Sequence, residues 1–319
     1  MSLTTTQAMR SLLSDDDRAA MQAIFGERVR FDEPLAAYTS WRIGGPADAL
    51  ALVESEDELA ELMRLCFKRK LPWFVIGSGS NVLVGDGGMR GVVIRLGGAF
   101  AGVSVRESDG EVLVEAGASA PMAAVTAKAA SAGASSIGSL AGIPGTVGGS
   151  LRMNAGTDRE MGDFVRSVWV QSPSKPKPHP VTVQYFYRHS TLARDAVVSR
   201  VTLAFAKDDP QSVRGEMQSR LVRRKATQPI ALPNAGSCFR NPDDDKAARL
   251  IEAAGAKGWR EGGAEVSPLH ANFINNVHNA SAKDVATLLA RVRRAVRDQF
   301  GIELQLEVHL VGVFVDHET

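Results

Sequence analysis

The chain has 319 residues, 44% of them hydrophobic and 23% charged, with a formal net charge of +1. That length suggests about two domains or three small ones, with enough apolar residues for a real core. A charge this close to zero supplies no field favouring nucleic acid or an anionic membrane. The N-terminus, "MSLTTTQAMRSLLSDDDRAAMQAIFG", lacks the basic and apolar regions of a signal peptide, and no stretch approaches the ~20 apolar residues of a membrane span. Cys66 and Cys238 form no CxxC, so a reducing cytoplasmic setting is expected.

In chain order, Ser55 and Glu58 form a capping-box pattern ahead of Leu59, Leu62, Met63 and Leu65, predicting a helix that Pro72 ends. Residues 72–88 read as a buried strand, the glycine loop "GSGSN" and a short apolar run. "VVIRL" and "VLVEAG" read as further strands. Residues 120–134 are helical and rich in small residues, and 139–156 form a glycine-dense loop region. "VRSVWVQ" is a strand, whereas "SPSKPKPHP" (172–180) reads as a mobile, solvated turn. Residues 181–190 and 197–205 look like a strand pair. Asp209 caps, and Pro210 opens, a helix running to about Thr227.

"TQPIALP" (227–233), with two prolines, marks a domain boundary. Beyond it, 242–258 reads as a helix with proline and three acids at its start, stopped at Gly255 or Gly258. Residues 281–301 form an amphipathic helix. Residues 302–312 alternate as a strand with Glu303, Gln305, Glu307 and His309 on one face. The fold class is α+β.

"GSGSN" follows a strand as a dinucleotide fingerprint should, but Val82 stands at the third glycine position and "VLV" favours strand over helix. Taken alone it is a tight turn or a backbone nest for phosphate. The second loop, "AGIPGTVGGS" (141–150), lets a planar ligand approach bare backbone, and the two loops together favour a large phosphate-bearing cofactor. The six histidines show no HxxxH or HExxH, so no metal site is expected. Ser237, in "PNAGSCFRNP", lacks the G-x-S-x-G of a serine hydrolase. Cys238 reads as a small, partly buried residue. Ser237 remains a loop hydroxyl whose role depends on what faces it.

The chain resembles the UDP-N-acetylenolpyruvoylglucosamine reductase family. The likeness rests on "TSWRIGGPA", "IGSGSNVLV", "LAGIPGTVGGSLRMNAG", "YRHS", "TQPIALPNAGSCFRNP", "AARLIEAAGAKGWREGGAEVSPLHANFINN" and "LEVHLVG", which occur in the family's order. The resemblance implies an FAD-binding pair of subdomains of the vanillyl-alcohol-oxidase type (30–100 and 101–226). An N-terminal helical extension (1–29) would precede them and a substrate domain (227–319) would follow. It implies FAD held by Arg42, Gly77, Ser78, Gly79, Ser80, Asn81, Gly142, Ile143, Pro144, Gly145, Thr146, Gly148, Gly149, Asn154 and Gly156. NADPH would reduce FAD, and flavin N5 would pass hydride to C3 of the enolpyruvyl group, giving UDP-N-acetylmuramate for peptidoglycan synthesis. Ser237 would protonate C2, while Arg188 and Glu307 would polarise the carboxylate and stabilise the enolate. Read on the residues alone, Arg188 is an exposed strand cation and Glu307 part of a polar strand face. Tyr187, Arg223, Arg224, Gln228, Asn234 and Asn241 would contact substrate. No nucleic-acid, membrane or obligatory protein partner is expected.

The sequence departs from the family pattern at Arg240, where lysine is usual, at Leu306, where proline is usual before the glutamate, and in "GTDREMG", which lacks an aromatic residue. It resembles the shorter of two family forms, without a tyrosine-bearing insertion. Two other readings stand beside this one. Another FAD enzyme of the same fold would not need "NAGSCFRNP" or "YRHS", and a non-catalytic nucleotide-binding module would yield colourless protein.

Overall fold

The structure is a computed structural model in which residues 11–315 are described. The described residues open with helix α1 (Asp15–Phe25). Ser14 accepts from the Asp17 N–H, and the Asp17 carboxylate accepts from the Ser14 N–H. What the sequence reading says of residues 1–10 and 316–319 lies outside the described residues.

β1 (Val29–Pro34), β2 (Pro46–Val53), β3 (Trp73–Val75) and β5 (Met89–Leu96) form one sheet in the order β1-β2-β5-β3. β1 runs antiparallel to β2, and the other pairings are parallel. β4 (Val82–Val84) lies outside this sheet. α2 (Glu56–Arg69) packs Leu59, Leu62, Met63 and Cys66 on Ala49, Ala51, Val53, Val92 and Ile94. Ser55 caps it as predicted, but the Glu58 carboxylate takes the Glu54 N–H and pairs with Arg28. The helix ends at Lys70 in a left-handed conformation, before Pro72.

A five-stranded antiparallel sheet follows. Its strands are β6 (Val103–Ser108), β7 (Glu111–Gly117), β8 (Val165–Ser172), β9 (Lys175–Val181) and β12 (Val197–Ala206), in the order β6-β7-β12-β8-β9. α3 (Met122–Ser131) and α5 (Pro210–Thr227) share its core through Val125, Ala129, Ala130 and Val213. Asp209 caps α5 by accepting from the Ser212 N–H. Three expectations are corrected here. Residues 175–181 are a strand rather than a solvated turn, because β9 is an edge strand whose prolines cost no central ladder bond. Residues 181–190 do not pair with 197–205. They fold into a short hairpin, β10 (Tyr185–Phe186) and β11 (His189–Ser190), while β12 takes the sheet centre between β7 and β8. The glycine-dense region also holds a short helix, α4 (Val147–Arg152).

The C-terminal region packs α6 (Ala247–Ala253) and α7 (Ala282–Phe300) with β13 (Arg260–Glu261), β14 (Ala264–Val266) and β15 (Ile274–Asn276). α6 is shorter than predicted: Asn241 Oδ1 accepts from the Ala247 N–H, leaving the three acids in the preceding turn. α7 has a complete Ser281–Asp284 capping box and stops at Gly301, φ +70°. Within 302–312 only β16 (His309–Val311) is a ladder strand, because the segment changes partner midway. Leu306 bridges Phe239, and β16 then runs parallel to β4. Trp41 and Leu83 belong to the same core as α6 and α7. Trp41 Nε1 donates to Ile274 O at 2.7 Å, Asn276 Nδ2 donates to Trp41 O at 2.9 Å, and the Asp86 carboxylate accepts from the N–H groups of Ala282 and Lys283.

Candidate active site

Arg188 sits in the turn of the β10–β11 hairpin at φ +54°. Its guanidinium is gripped on three nitrogens. Nε donates to Glu307 Oε1 at 2.9 Å, Nη1 to Glu160 Oε1 at 3.0 Å, and Nη2 to Gly156 O at 3.2 Å. It also lies over the Tyr187 ring, 4.8 Å from the centroid. Arg188 is therefore not a free strand cation.

Glu307 is aimed by its backbone. Its N–H donates to Cys238 O, and the Arg240 N–H donates to Gln305 O, both at 2.8 Å. Asn81 of the first glycine loop donates its side-chain amide to Glu307 O at 3.1 Å and accepts from the His309 N–H at 3.0 Å. The Leu306 N–H takes no part in this ladder, so proline at that position would lose no hydrogen bond. Burial pushes the Glu307 carboxyl above its ordinary value, and Arg188 only partly opposes this. Burial raises Glu160 as well.

The segment paired with Glu307 carries Ser237. Gly236 precedes it at φ +75°, a conformation only glycine adopts freely. Asn272 clamps the following residues: its carbonyl accepts from the Cys238 N–H at 2.8 Å, and its amide exchanges hydrogen bonds with the Phe239 backbone at 2.9 and 2.8 Å. Ser237 is half-buried, and its hydroxyl has no partner among the described residues. Cys238 is buried, with its thiol pushed up to about 12.

The two glycine loops abut. Ser80 Oγ donates to Pro144 O at 3.2 Å, and a Cβ on Gly77 would stand 2.6 Å from Thr146 Oγ1. Gly79, at φ +60°, would place a Cβ 2.2 Å from Tyr38 O. No backbone N–H of residues 77–81, nor of Gly142, Ile143, Gly145 or Thr146, meets an acceptor among the described residues. Such a set of free donors, flanked by the exposed Ser78 and Arg42, fits the diphosphate of a dinucleotide. Gly148 packs on Ala118, and Gly149 is exposed. Asn154 and Gly156 lie in the Arg188 cluster. Asn154 Nδ2 donates to Glu160 Oε2 at 2.5 Å and Phe186 O at 3.0 Å, and its Oδ1 accepts from the Gly162 N–H.

Of the expected substrate residues, Asn234 and Asn241 turn their side chains to nearby backbone. Arg223 is exposed. Arg224 is half-buried over Gly142 without a carboxylate, and burial lowers its guanidinium from the ordinary value. Gln228 Oε1 and Arg240 Nε are buried without partners among the described residues. Glu160 was not legible in the sequence, since a spacing of 28 residues from Arg188 carries no periodicity. No group of three or more His, Cys, Asp or Glu among the described residues could hold a metal ion.

Set beside known proteins, this fold and site are those of an FAD-dependent oxidoreductase. Residues 47–173 match the FAD binding domain family, and 228–311 match the family described as UDP-N-acetylenolpyruvoylglucosamine reductase, C-terminal domain. The chain is 43% identical over 290 residues to UDP-N-acetylenolpyruvoylglucosamine reductase 2 of Symbiobacterium thermophilum, covering 89% of this chain and 92% of that one. It is 42% identical to the reductase of Moorella thermoacetica, covering 89% and 94%. The crystal structure of the Thermus caldophilus reductase (MurB) superposes with a TM-score of 0.77 at 34% identity, covering 88% of this chain and 99% of that one. The chain belongs to the UDP-N-acetylenolpyruvoylglucosamine reductase family. No helix among the described residues is long and apolar enough to cross a membrane.

Proposed function

We propose that the chain reduces UDP-N-acetylglucosamine enolpyruvate to UDP-N-acetylmuramate in the cytoplasm, with NADPH as the source of reducing equivalents and Ser237, Arg188 and Glu307 as the catalytic residues. The observation carrying this reading is the Arg188–Glu307 pair, which joins a hairpin to a segment 119 residues away that is hydrogen-bonded to the loop bearing Ser237. FAD is assigned to the free N–H groups of the two glycine loops, with Arg42, Ser78, Ser80, Asn81 and Thr146 around it. When bound, FAD supplies the hydride. The divisions at 30, 101 and 227 are proposed on the same basis.

An α,β-unsaturated carboxylate resists hydride addition because the product approaches a dianion. Arg188 keeps N–H groups on Nη1 and Nη2 beyond those already engaged, and these are free to meet the substrate carboxylate. Glu307 Oε2 has no partner among the described residues and can carry a proton, so a neutral Glu307 can donate to the developing enolate. The unpartnered Ser237 hydroxyl then delivers the proton to C2. Arg223, Arg224, Gln228, Asn234, Asn241 and Tyr187 are assigned to the rest of the substrate. Of these, Gln228 and Arg224 have the clearest support, as polar groups left unpaired.

The test separates the half-reactions by stopped-flow at the flavin absorbance. Ser237→Ala should leave flavin reduction by NADPH near normal and slow reoxidation by the enolpyruvyl substrate by roughly 10²–10⁴-fold. Equal slowing of both halves would make Ser237 a binding or folding residue.

A further inference from the structure

Glu160 is the carboxylate of the cluster without an assigned role, and its hydrogen bonds differ in kind from those of Glu307. Both its oxygens accept from N–H donors: Oε1 from Arg188 Nη1 at 3.0 Å and Oε2 from Asn154 Nδ2 at 2.5 Å. Glu307 accepts through Oε1 alone and is the less exposed side chain, 16% against 24%. Two carboxylates share one guanidinium in a half-buried site, with Arg240 the other cation near Glu307, and a bound substrate carboxylate would make the three carboxylates outnumber the two cations. One of the two must take a proton at least cost. The carboxyl with a free oxygen and fewer N–H donors is the better place.

We propose that Glu160 is a positioning residue: it holds Arg188 from the far side and stays ionised, so that Glu307 is the carboxyl of the pair that carries the proton. This rests on the reading of Glu307 given above, and extends it to a residue outside the catalytic trio. Glu160 is itself fixed by the fold. Asn154, at φ +46°, spans Glu160, the Gly162 N–H and the Phe186 carbonyl, so one side chain ties Glu160 to the hairpin that bears Arg188. The charged and titratable groups facing Glu307 are Arg188, Arg240, Glu160 and the Cys238 thiol. Those facing Glu160 are Arg188, Asp163 and, across the shared guanidinium, Glu307. Among them only Glu160 adds negative charge to Glu307 through a shared cation, and burial of Glu307 acts in the same direction.

The experiment follows carboxyl carbon signals of the holoprotein by NMR during a pH titration, with Glu307 assigned by the loss of its signal in Glu307→Gln and Glu160 by its loss in Glu160→Gln. In the wild type the Glu307 signal should titrate at higher pH than the Glu160 signal. The reverse order would overturn the proposal without any further variant. In Glu160→Gln the Glu307 midpoint should fall by roughly 1.5–2 pH units, about 30- to 100-fold in acid dissociation, as expected for losing a like charge about 6–8 Å away across a guanidinium at an effective dielectric of about 20. Glu160→Asp keeps the charge and should hold the midpoint near the wild-type value. An unchanged midpoint in Glu160→Gln, or an equal fall in both variants, would reduce Glu160 to a packing residue. These midpoints are read without turnover, so a failure here is distinguishable from a failure of the proposed reaction, which the Ser237→Ala kinetics test.

Discussion

Glu307→Gln and Glu307→Ala should part sharply if Glu307 acts as a neutral donor. The amide retains an oxygen able to accept from Arg188 Nε, where the native contact is 2.9 Å, and offers an N–H in place of the carboxyl O–H. Alanine removes both and leaves Arg188 held only by Glu160 and the Gly156 carbonyl. Losing a hydrogen bond to a charged group costs about 1.5–3 kcal/mol, or roughly 10–150-fold in rate if the bond is needed in the transition state. Flavin reoxidation by the enolpyruvyl substrate, followed by stopped-flow, should therefore fall by roughly that factor in Glu307→Ala and by about tenfold or less in Glu307→Gln. The pH profile supplies a second readout. Burial raises the Glu307 carboxyl, so its neutral form is favoured in the fold, and the wild-type rate should decline as pH rises through the raised value. The same sign applies to stability. This group's contribution is fully present below the ordinary carboxylate value and is lost as pH rises through the folded one. Glu307→Gln should lack both declines. Equal loss of rate in the two variants, or an alkaline decline surviving in Glu307→Gln with the same midpoint, would refute the neutral-donor argument.

Gly145→Ala should bind little flavin and also lower the melting midpoint, because Gly145 holds φ +116°, which strains any L side chain, although the new Cβ meets only the rotatable Ser80 hydroxyl, at 2.9 Å. Gly79→Ala should lower the melting midpoint as well, since its Cβ meets the Tyr38 carbonyl. Full flavin absorbance in Gly145→Ala would remove the second loop from the cofactor site. Trp41→Phe should destabilise by about 1–3 kcal/mol in denaturant unfolding, through the lost donor to Ile274 O. An unchanged midpoint would mean that this hydrogen bond contributes little to the core shared with α6 and α7. Cys66 and Cys238, both buried with thiols pushed up to about 12, should ignore a thiol reagent at pH 8 until the protein unfolds. Rapid labelling of either in the native state would contradict that burial.

Local signals carried the parts of the fold that depend on neighbours in sequence. Ser55 and Asp209 cap the helices they were expected to cap, and the expected helix at 281–301 is capped by Ser281 and stopped by Gly301, because caps are settled by groups three or four residues away. Strand partners are settled by distant residues, and there the reading failed. The prolines of 175–181 looked like a turn because only the sheet order reveals that β9 is an edge strand. The alternation through 302–312 looked like one strand because nothing local signals the change of partner from Phe239 to β4. Ser237, Arg188 and Glu307 were picked out by resemblance. Read on their own residue patterns, Arg188 and Glu307 pass for surface charges, since the contact that buries them joins segments far apart.

Asn81 shows why the glycine loop and the acid belong to one design. Its residue lies in the loop whose N–H groups are free, yet its side chain and carbonyl are spent on the backbone at Glu307 and His309. A loop that only turned the chain between β3 and β4 would have no need to grip a segment more than two hundred residues away. The parallel pairing of β4 with β16 continues that grip, and Asp86 extends it to the start of α7. The position of Glu307 is thus measured from the first glycine loop, while the position of Arg188 is measured from the turn at Gly156 and Glu160. The two rulers meet at the Arg188–Glu307 contact. A displacement of the loop can therefore reach the guanidinium through these backbone hydrogen bonds and the Glu307 side chain, beside the core that Leu83 and Val308 share.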